Sequence, residues 1–209
     1  MKGLFITFEG LDGSGKTTQI ALLSDYLKRK GLEVITAIEP GGTALGDKIR
    51  QILLDRENTG MSHKAETFLF EASRAELISK VVGPALNKGK IIICDRFFDS
   101  TIVYQGIARG LGVEKIMELS LWATDGIVPD LTFLLSVDVI GGEKRLAGAF
   151  KSRDRIESEE NKFKQSIYEG YLELSRKYSD RIMLIDGKQD IKTIFSQIKE
   201  KVDRELDKA

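Results

Sequence analysis

Residues Gly10-Leu11-Asp12-Gly13-Ser14-Gly15-Lys16-Thr17 fit the pattern G-x-x-x-x-G-K-[ST]. Glycines there let the main chain curl, so that several N–H groups converge on a phosphate chain. A helix starting at Lys16 adds the positive end of its dipole. Lys16 is then placed to reach the β- and γ-phosphates of a nucleoside triphosphate, and Thr17 to offer a hydroxyl to Mg2+. Thr18 belongs to the same triphosphate-binding stretch.

Other residues suit a second phosphate and a base. Asp95 closes the apolar run Ile91–Cys94. A carboxylate at a strand tip can hold Mg2+ directly or through water, and Arg96 beside it adds a cation for a phosphate. An ordinary solvated Asp-Arg pair has the same sequence. Glu39-Pro40-Gly41-Gly42-Thr43 allows close main-chain approach, and Arg50 offers a planar fork for a phosphate or is a plain surface arginine. Phe70 and Arg74 are spaced i, i+4 and share a helix face. Such a pair can stack on a base and hydrogen-bond its edge; a core phenylalanine near a surface arginine gives the same spacing. Ser100, Tyr104 and Gln105 fall around one face of a short helix and can line a pocket.

These groups need a scaffold. Leu4–Phe8, Glu33–Ile38, Ile91–Cys94, Leu131–Val137 and Arg181–Ile185 are short apolar or β-branched runs, as expected of strands covered on both faces. Between them lie faces at helical spacing: Ile20, Leu23 and Leu27 with Leu22 and Tyr26; Ile167, Tyr171, Leu174 and Tyr178; Ile191, Ile194, Phe195, Ile198 and Val202. Alternating strands and helices predict an α/β fold with a parallel sheet, and ligands at the carboxyl ends of its strands.

Composition agrees with a globular chain. The 209 residues carry 32 Lys+Arg and 32 Asp+Glu, a formal net charge of zero, with 42% hydrophobic residues. Roughly 70% of the unfolded surface of such a chain can be buried on folding. Zero net charge argues against bulk capture of nucleic acid or an anionic membrane. One Cys and one His exclude an internal disulfide framework and a Cys- or His-rich metal cluster. Cys94 reads as a small core residue, His63 as an exposed helix start, and Trp122 as packing. Three prolines and no repeat leave a single domain over 1–209 as the simplest organisation. The opening MKGLFITFEG is neither a signal peptide nor a membrane span, so the expectation is a cytoplasmic protein with no membrane partner.

Taken together, GLDGSGKTTQ, EPGGT with Arg50, FLFEASR, DRF-x-x-ST-x-x-YQG and DRIE resemble the thymidylate kinases, in order, from Phe5 to about Asp186. The resemblance implies a P-loop nucleoside-monophosphate kinase fold with a five-stranded parallel sheet flanked by helices. It implies the reaction ATP + dTMP → ADP + dTDP with Mg2+, and a homodimer. Carried over by position, Gly10, Leu11, Asp12, Gly13, Ser14, Gly15, Lys16, Thr17 and Thr18 hold ATP, with Thr17 and Asp95 on the metal. Asp12 lies near the dTMP sugar, Arg50 and Arg96 on its phosphate, Phe70 on the thymine face and Arg74 on its edge. Ser100 and Gln105 are polar pocket positions, and Tyr104 crowds the sugar 2′ position. Lys188 falls where the family approaches adenine, or is a surface lysine.

Lys144, Arg145, Lys151, Arg153 and Arg155 precede Glu157, Glu159 and Glu160. They read either as a solvated, salt-bridged helix start or as a mobile basic lid over about 145–160 that brings arginines to the phosphates. Some family members place an arginine inside the phosphate loop. Here that position is Gly13, which resembles the bacterial type with its catalytic arginine in the lid, and Arg153 and Arg155 are both candidates. Two features depart from the family: the short KSRDRIE segment, and Ile38 where an arginine often precedes EPGG. Two other readings stay open: a P-loop kinase with a different acceptor, or a nucleotide-dependent switch. Against the switch, NKGK and NKFK occur but no N-K-x-D guanine reader does.

Overall fold

The five apolar runs form the five strands of one parallel sheet: β1 Leu4–Glu9, β2 Val34–Ile38, β3 Ile91–Asp95, β4 Leu131–Ser136 and β5 Ile182–Asp186. The order is β2-β3-β1-β4-β5. The structure is a computed structural model and describes residues 3–147 and 154–208. Phe8 of β1 lies opposite Asp95 on one side and Phe133 on the other, which brings the ends of β1 and β3 level.

Side chains alternate across the sheet and feed two cores. Phe5, Ile92 and Cys94 face one layer; Ile6, Phe8, Ile91 and Ile93 face the other, with Ile20, Leu23 and Leu27. The strands are not all covered on both faces as expected. β2 and β5 are the sheet edges and are only partly buried, whereas β1, β3 and β4 are buried nearly throughout.

The helices are α1 Lys16–Arg29, α2 Ala44–Leu54, α3 His63–Leu77, α4 Gly83–Asn87, α5 Phe98–Thr101, α6 Val113–Ala123, α7 Val139–Ala147, α8 Asn161–Lys177 and α9 Ile191–Leu206. The short helix expected there is present: Ile102–Ala108 continues α5, in π-helical form. Its wider turn carries Tyr104 and Gln105, a placement common at functional sites. Trp122 is 80% exposed rather than packed. His63 is exposed at the start of α3, and Cys94 is buried. Among the described residues no helix is long and apolar enough to cross a membrane.

Candidate active site

The donor side grows from the end of β1. Gly10, Gly13 and Gly15 have φ of 132°, 78° and 100°, and the Ser14 amide closes the turn on the Leu11 carbonyl at 3.2 Å. α1 has no side-chain cap. Its first N–H groups are therefore left to an anion. Lys16 is buried, its Nζ donating to the Gly10 and Leu11 carbonyls at 3.0 and 3.1 Å. Burial, and then the Arg96 charge, pull its pKa below the usual lysine range. Thr17 Oγ1 lies 3.4 Å from Asp95 Oδ2. This hydroxyl and carboxylate are the hard oxygen donors that Mg2+ takes when substrate phosphates and water complete its shell.

α7 lies directly on the loop. A Cβ on Gly13 would stand 2.6 Å from the Gly142 carbonyl oxygen, and one on Gly142 would stand 2.9 Å from that of Asp12. One turn along α7, Arg145 donates to the Gly187 carbonyl at 2.9 Å and reaches the Gly13 carbonyl at 3.4 Å. It thus links the loop to the turn after β5.

The acceptor side is built from side chains. Arg96 has a φ of 70°, unusual for a non-glycine residue. Its guanidinium donates to Asp12 at 2.7 Å and Tyr171 at 3.2 Å, and stands 5.5 Å from the Tyr104 ring centre. Behind it, buried Glu9 accepts from the Phe97 amide at 2.7 Å, Ser100 at 2.6 Å and Tyr171 at 2.8 Å. Burial, with Asp99 adding to it, pushes the Glu9 carboxyl up to about 6. Arg50 is held by the Pro40 carbonyl at 2.8 Å, next to the cis Glu39-Pro40 peptide.

Arg74 is 1% exposed. Its Nε donates to Glu39 at 2.8 Å and its Nη2 to Thr101 at 2.9 Å. Nη1 lies 2.8 Å from Glu71 Oε1, but no N–H of Nη1 is aligned with an acceptor. Nη1 is thus held by charge rather than by an aligned hydrogen bond, and its N–H directions stay open to a ligand. Arg74 and Phe70 both line the cavity, so a ligand edge can reach them.

The basic segment differs most from expectation. Arg153 lies outside the described residues. Arg155 does not face the phosphate loop: it is buried, its Nε donates to the Leu53 carbonyl at 2.8 Å, and its Nη1 pairs with Glu66 at 2.7 Å. Asp154 and Ile156 line the cavity, whereas Arg155 does not. A guanidinium bound to a helix end and a buried carboxylate is an anchor, which removes Arg155 as the phosphate-facing arginine in this arrangement. Lys188 is an exposed lysine paired with Asp138. Sequence reasoning missed Glu9, Glu66 and the reach of Arg145. Glu66, Phe70 and Arg74 do share one face of α3 at four-residue steps, a signal that could have singled out Glu66.

One cavity of about 690 Å³ joins both sides. Its wall includes the phosphate loop, Asp95, Arg50, Phe70, Arg74, Arg96, Ser100, Tyr104 and Gln105. A phosphate loop opening on a second pocket with arginines and an aromatic ring, on this sheet, defines a P-loop nucleoside-monophosphate kinase. Residues 8–198 match the family model for thymidylate kinase. The chain is 44% identical to the thymidylate kinase of Caldanaerobacter subterraneus subsp. tengcongensis, over 99% of this chain and 98% of that one. It is 46% identical to that of Thermosipho africanus, over 97% and 99%. The crystal structure of the Ehrlichia chaffeensis thymidylate kinase superposes with a TM-score of 0.78 at 32% identity, covering 97% of this chain and 99% of that one. The chain belongs to the thymidylate kinase family.

Proposed function

We infer that the chain transfers the γ-phosphoryl group of ATP to dTMP, giving ADP and dTDP, and we propose how its residues divide the work. The observation that carries this is the single cavity joining a triphosphate loop to a pocket lined by the Phe70 ring and the Arg50, Arg74 and Arg96 guanidiniums. A dTMP phosphate oxygen attacks the γ-phosphorus in line, and the bond to the β–γ bridging oxygen breaks as ADP leaves. The attacking oxygen is already anionic, so positioning and charge neutralisation carry the catalysis.

Residues 10–18 hold the ATP phosphates through main-chain N–H groups, and Lys16 neutralises the charge that moves toward ADP. Arg145 flanks the same loop on the donor side. Arg96 and Arg50 hold the dTMP phosphate. Asp12 and Tyr104 contact the sugar, Phe70 stacks on thymine, Arg74 donates to its edge, and Ser100 and Gln105 complete the wall. Thr17 and Asp95 would hold Mg2+, which would supply positive charge to offset that of the phosphates. With Arg155 anchored, Arg153 is the lid candidate: Arg153→Ala should lower kcat with little change in either KM.

We also propose that the enzyme is a cytoplasmic homodimer. Phe68 and Trp122, 61% and 80% exposed, lie on α3 and α6, which pack together. Large exposed apolar groups on adjoining helices suit a subunit contact. The test of function is ADP release with ATP and Mg2+ across dTMP, dUMP, UMP, dCMP, dAMP, dGMP and thymidine. Strong turnover with dTMP, less with dUMP and none with thymidine is expected. Turnover with a different acceptor would void the base-pocket roles.

A further inference from the structure

Glu66 lies outside the machinery just described, yet it is one of the most enclosed carboxylates, 1% exposed, and serves three partners at once. Oε1 accepts from Gln105 Nε2 at 2.9 Å and from Arg109 Nε at 3.2 Å. Oε2 pairs with Arg155 Nη1 at 2.7 Å and takes Arg109 Nη2 at 3.4 Å. Burial works against the Glu66 charge, but Gln105 and the two guanidiniums outweigh it and hold its carboxyl below the usual carboxylate range. Glu66 is therefore an anion that only accepts hydrogen bonds.

That property settles the direction of the Gln105 amide. A glutamine side chain can present either its NH2 or its carbonyl to a given neighbour, and the two ends have nearly the same shape. An ionised carboxylate admits only the NH2 end. The carbonyl end of Gln105 is then what this side chain has left to offer, and Gln105 lines the cavity. On the same face of α3, two turns away from Glu66, Arg74 brings a guanidinium to the cavity wall, with Nη1 2.8 Å from Glu71. Two side-chain bridges, Arg74 to Thr101 and Glu66 to Gln105, fix α3 against the helix that carries Gln105.

The cavity wall thus includes a guanidinium, which donates, and the Gln105 amide, whose free end is a carbonyl that accepts. A thymine or uracil edge answers with O4, which accepts, and N3–H, which donates. A cytosine edge answers with the reverse, an N4 amino group and an N3 lone pair. Resting on the dTMP kinase reading, we propose that Glu66 is a positioning residue for base specificity: by fixing the Gln105 amide with its carbonyl toward the base, it excludes cytosine nucleotides as acceptors. It touches no substrate itself.

The experiment compares kcat/KM for dTMP and dCMP in the full-length wild type, Glu66→Gln and Arg155→Gln. Glu66→Gln has nearly the same shape but can donate, which frees the Gln105 amide to turn over. The dTMP:dCMP ratio should fall by about tenfold, as one mispaired buried hydrogen bond would produce. Arg155→Gln breaks the Arg155 contact, leaves those of Glu66 with Gln105 and Arg109, and should leave the ratio at its wild-type value, whatever it does to kcat. If Glu66→Gln fails to fold because a buried cation loses its partner, the charge-balanced double variant Glu66→Gln/Arg155→Gln takes its place, with the same drop expected. A folded Glu66 variant that loses activity equally for both acceptors would overturn the proposal and leave Glu66 a structural ion-pair partner. Wild type that does not turn over dTMP would instead overturn the kinase reading, so the two failures are distinguishable.

Discussion

On the division proposed above, the ATP side of the cleft centres on one stretch, Gly10 to Thr18, offering mostly main-chain groups, with Asp95 and Arg145 beside it. The acceptor side draws Glu39 and Arg50, Phe70 and Arg74, and Arg96 to Gln105 from separate parts of the chain and works through side chains. The donor side needs glycine dihedrals and a helix start. The other side rests on ion pairs, buried between Arg74 and Glu39 and Glu71, and partly exposed between Arg96 and Asp12. On that division, triphosphate recognition is encoded locally while acceptor recognition depends on the whole fold, and losing one member of the second set should carry the larger stability penalty.

The largest effect should come from breaking the acceptor side at its most buried cation. Arg74→Met leaves the Glu39 and Glu71 carboxylates without their guanidinium, and should cost about 3–5 kcal/mol in urea unfolding. A loss under about 1 kcal/mol would mean that the two halves do not differ in this way. Lys16→Met should behave in the opposite manner. Its kcat/KM should fall by about 10²- to 10³-fold, the range for removing one preorganised charge stabiliser, with the unfolding midpoint nearly unchanged.

Glu9 sits at the junction of the halves and tests them through pH. Its folded pKa of about 6 lies above the ordinary 4.5, so the fold favours the protonated form. Stability contributed below pH 4.5 is lost as pH rises toward 6, by about 2 kcal/mol in total. Glu9→Gln should remove that loss: relative to wild type it gains stability between pH 4.5 and 7 in parallel unfolding curves. A difference that does not change with pH would show that burial does not penalise this carboxylate. The smallest effect is expected from Phe70→Ala. The KM for dTMP should rise by the equivalent of roughly 1–3 kcal/mol of stacking, with the KM for ATP unmoved; a matching rise for ATP would erase the boundary between the halves.

The same contrast explains what could be read in advance. The strands, the loop, and the Phe70–Arg74 spacing are local patterns, and the strand limits agree with expectation to within a residue or two. The fates of Arg155, Glu9 and Glu66 depend on partners such as Leu53, Tyr171 and Gln105, up to 162 positions away in sequence. No window of sequence holds both members of such a pair. Arg155 looked like a lid arginine because its neighbours are basic, but a buried carboxylate on α3 decides its position. The π-helical turn was missed for a related reason: its residues suit an ordinary helix, and its packing against α6 and α8 belongs to the tertiary fold.

The contact between the phosphate loop and α7 bears on how this enzyme could have diverged. Gly13 and Gly142 meet with room for neither side chain, and Gly13 also holds a left-handed backbone. Supplying the reaction with an arginine from position 13 would require α7 to lift first, which would also disturb the reach of Arg145 to Gly187. An arginine at position 13 is therefore a coordinated multi-site change in this chain, since the loop and α7 must be remodelled together.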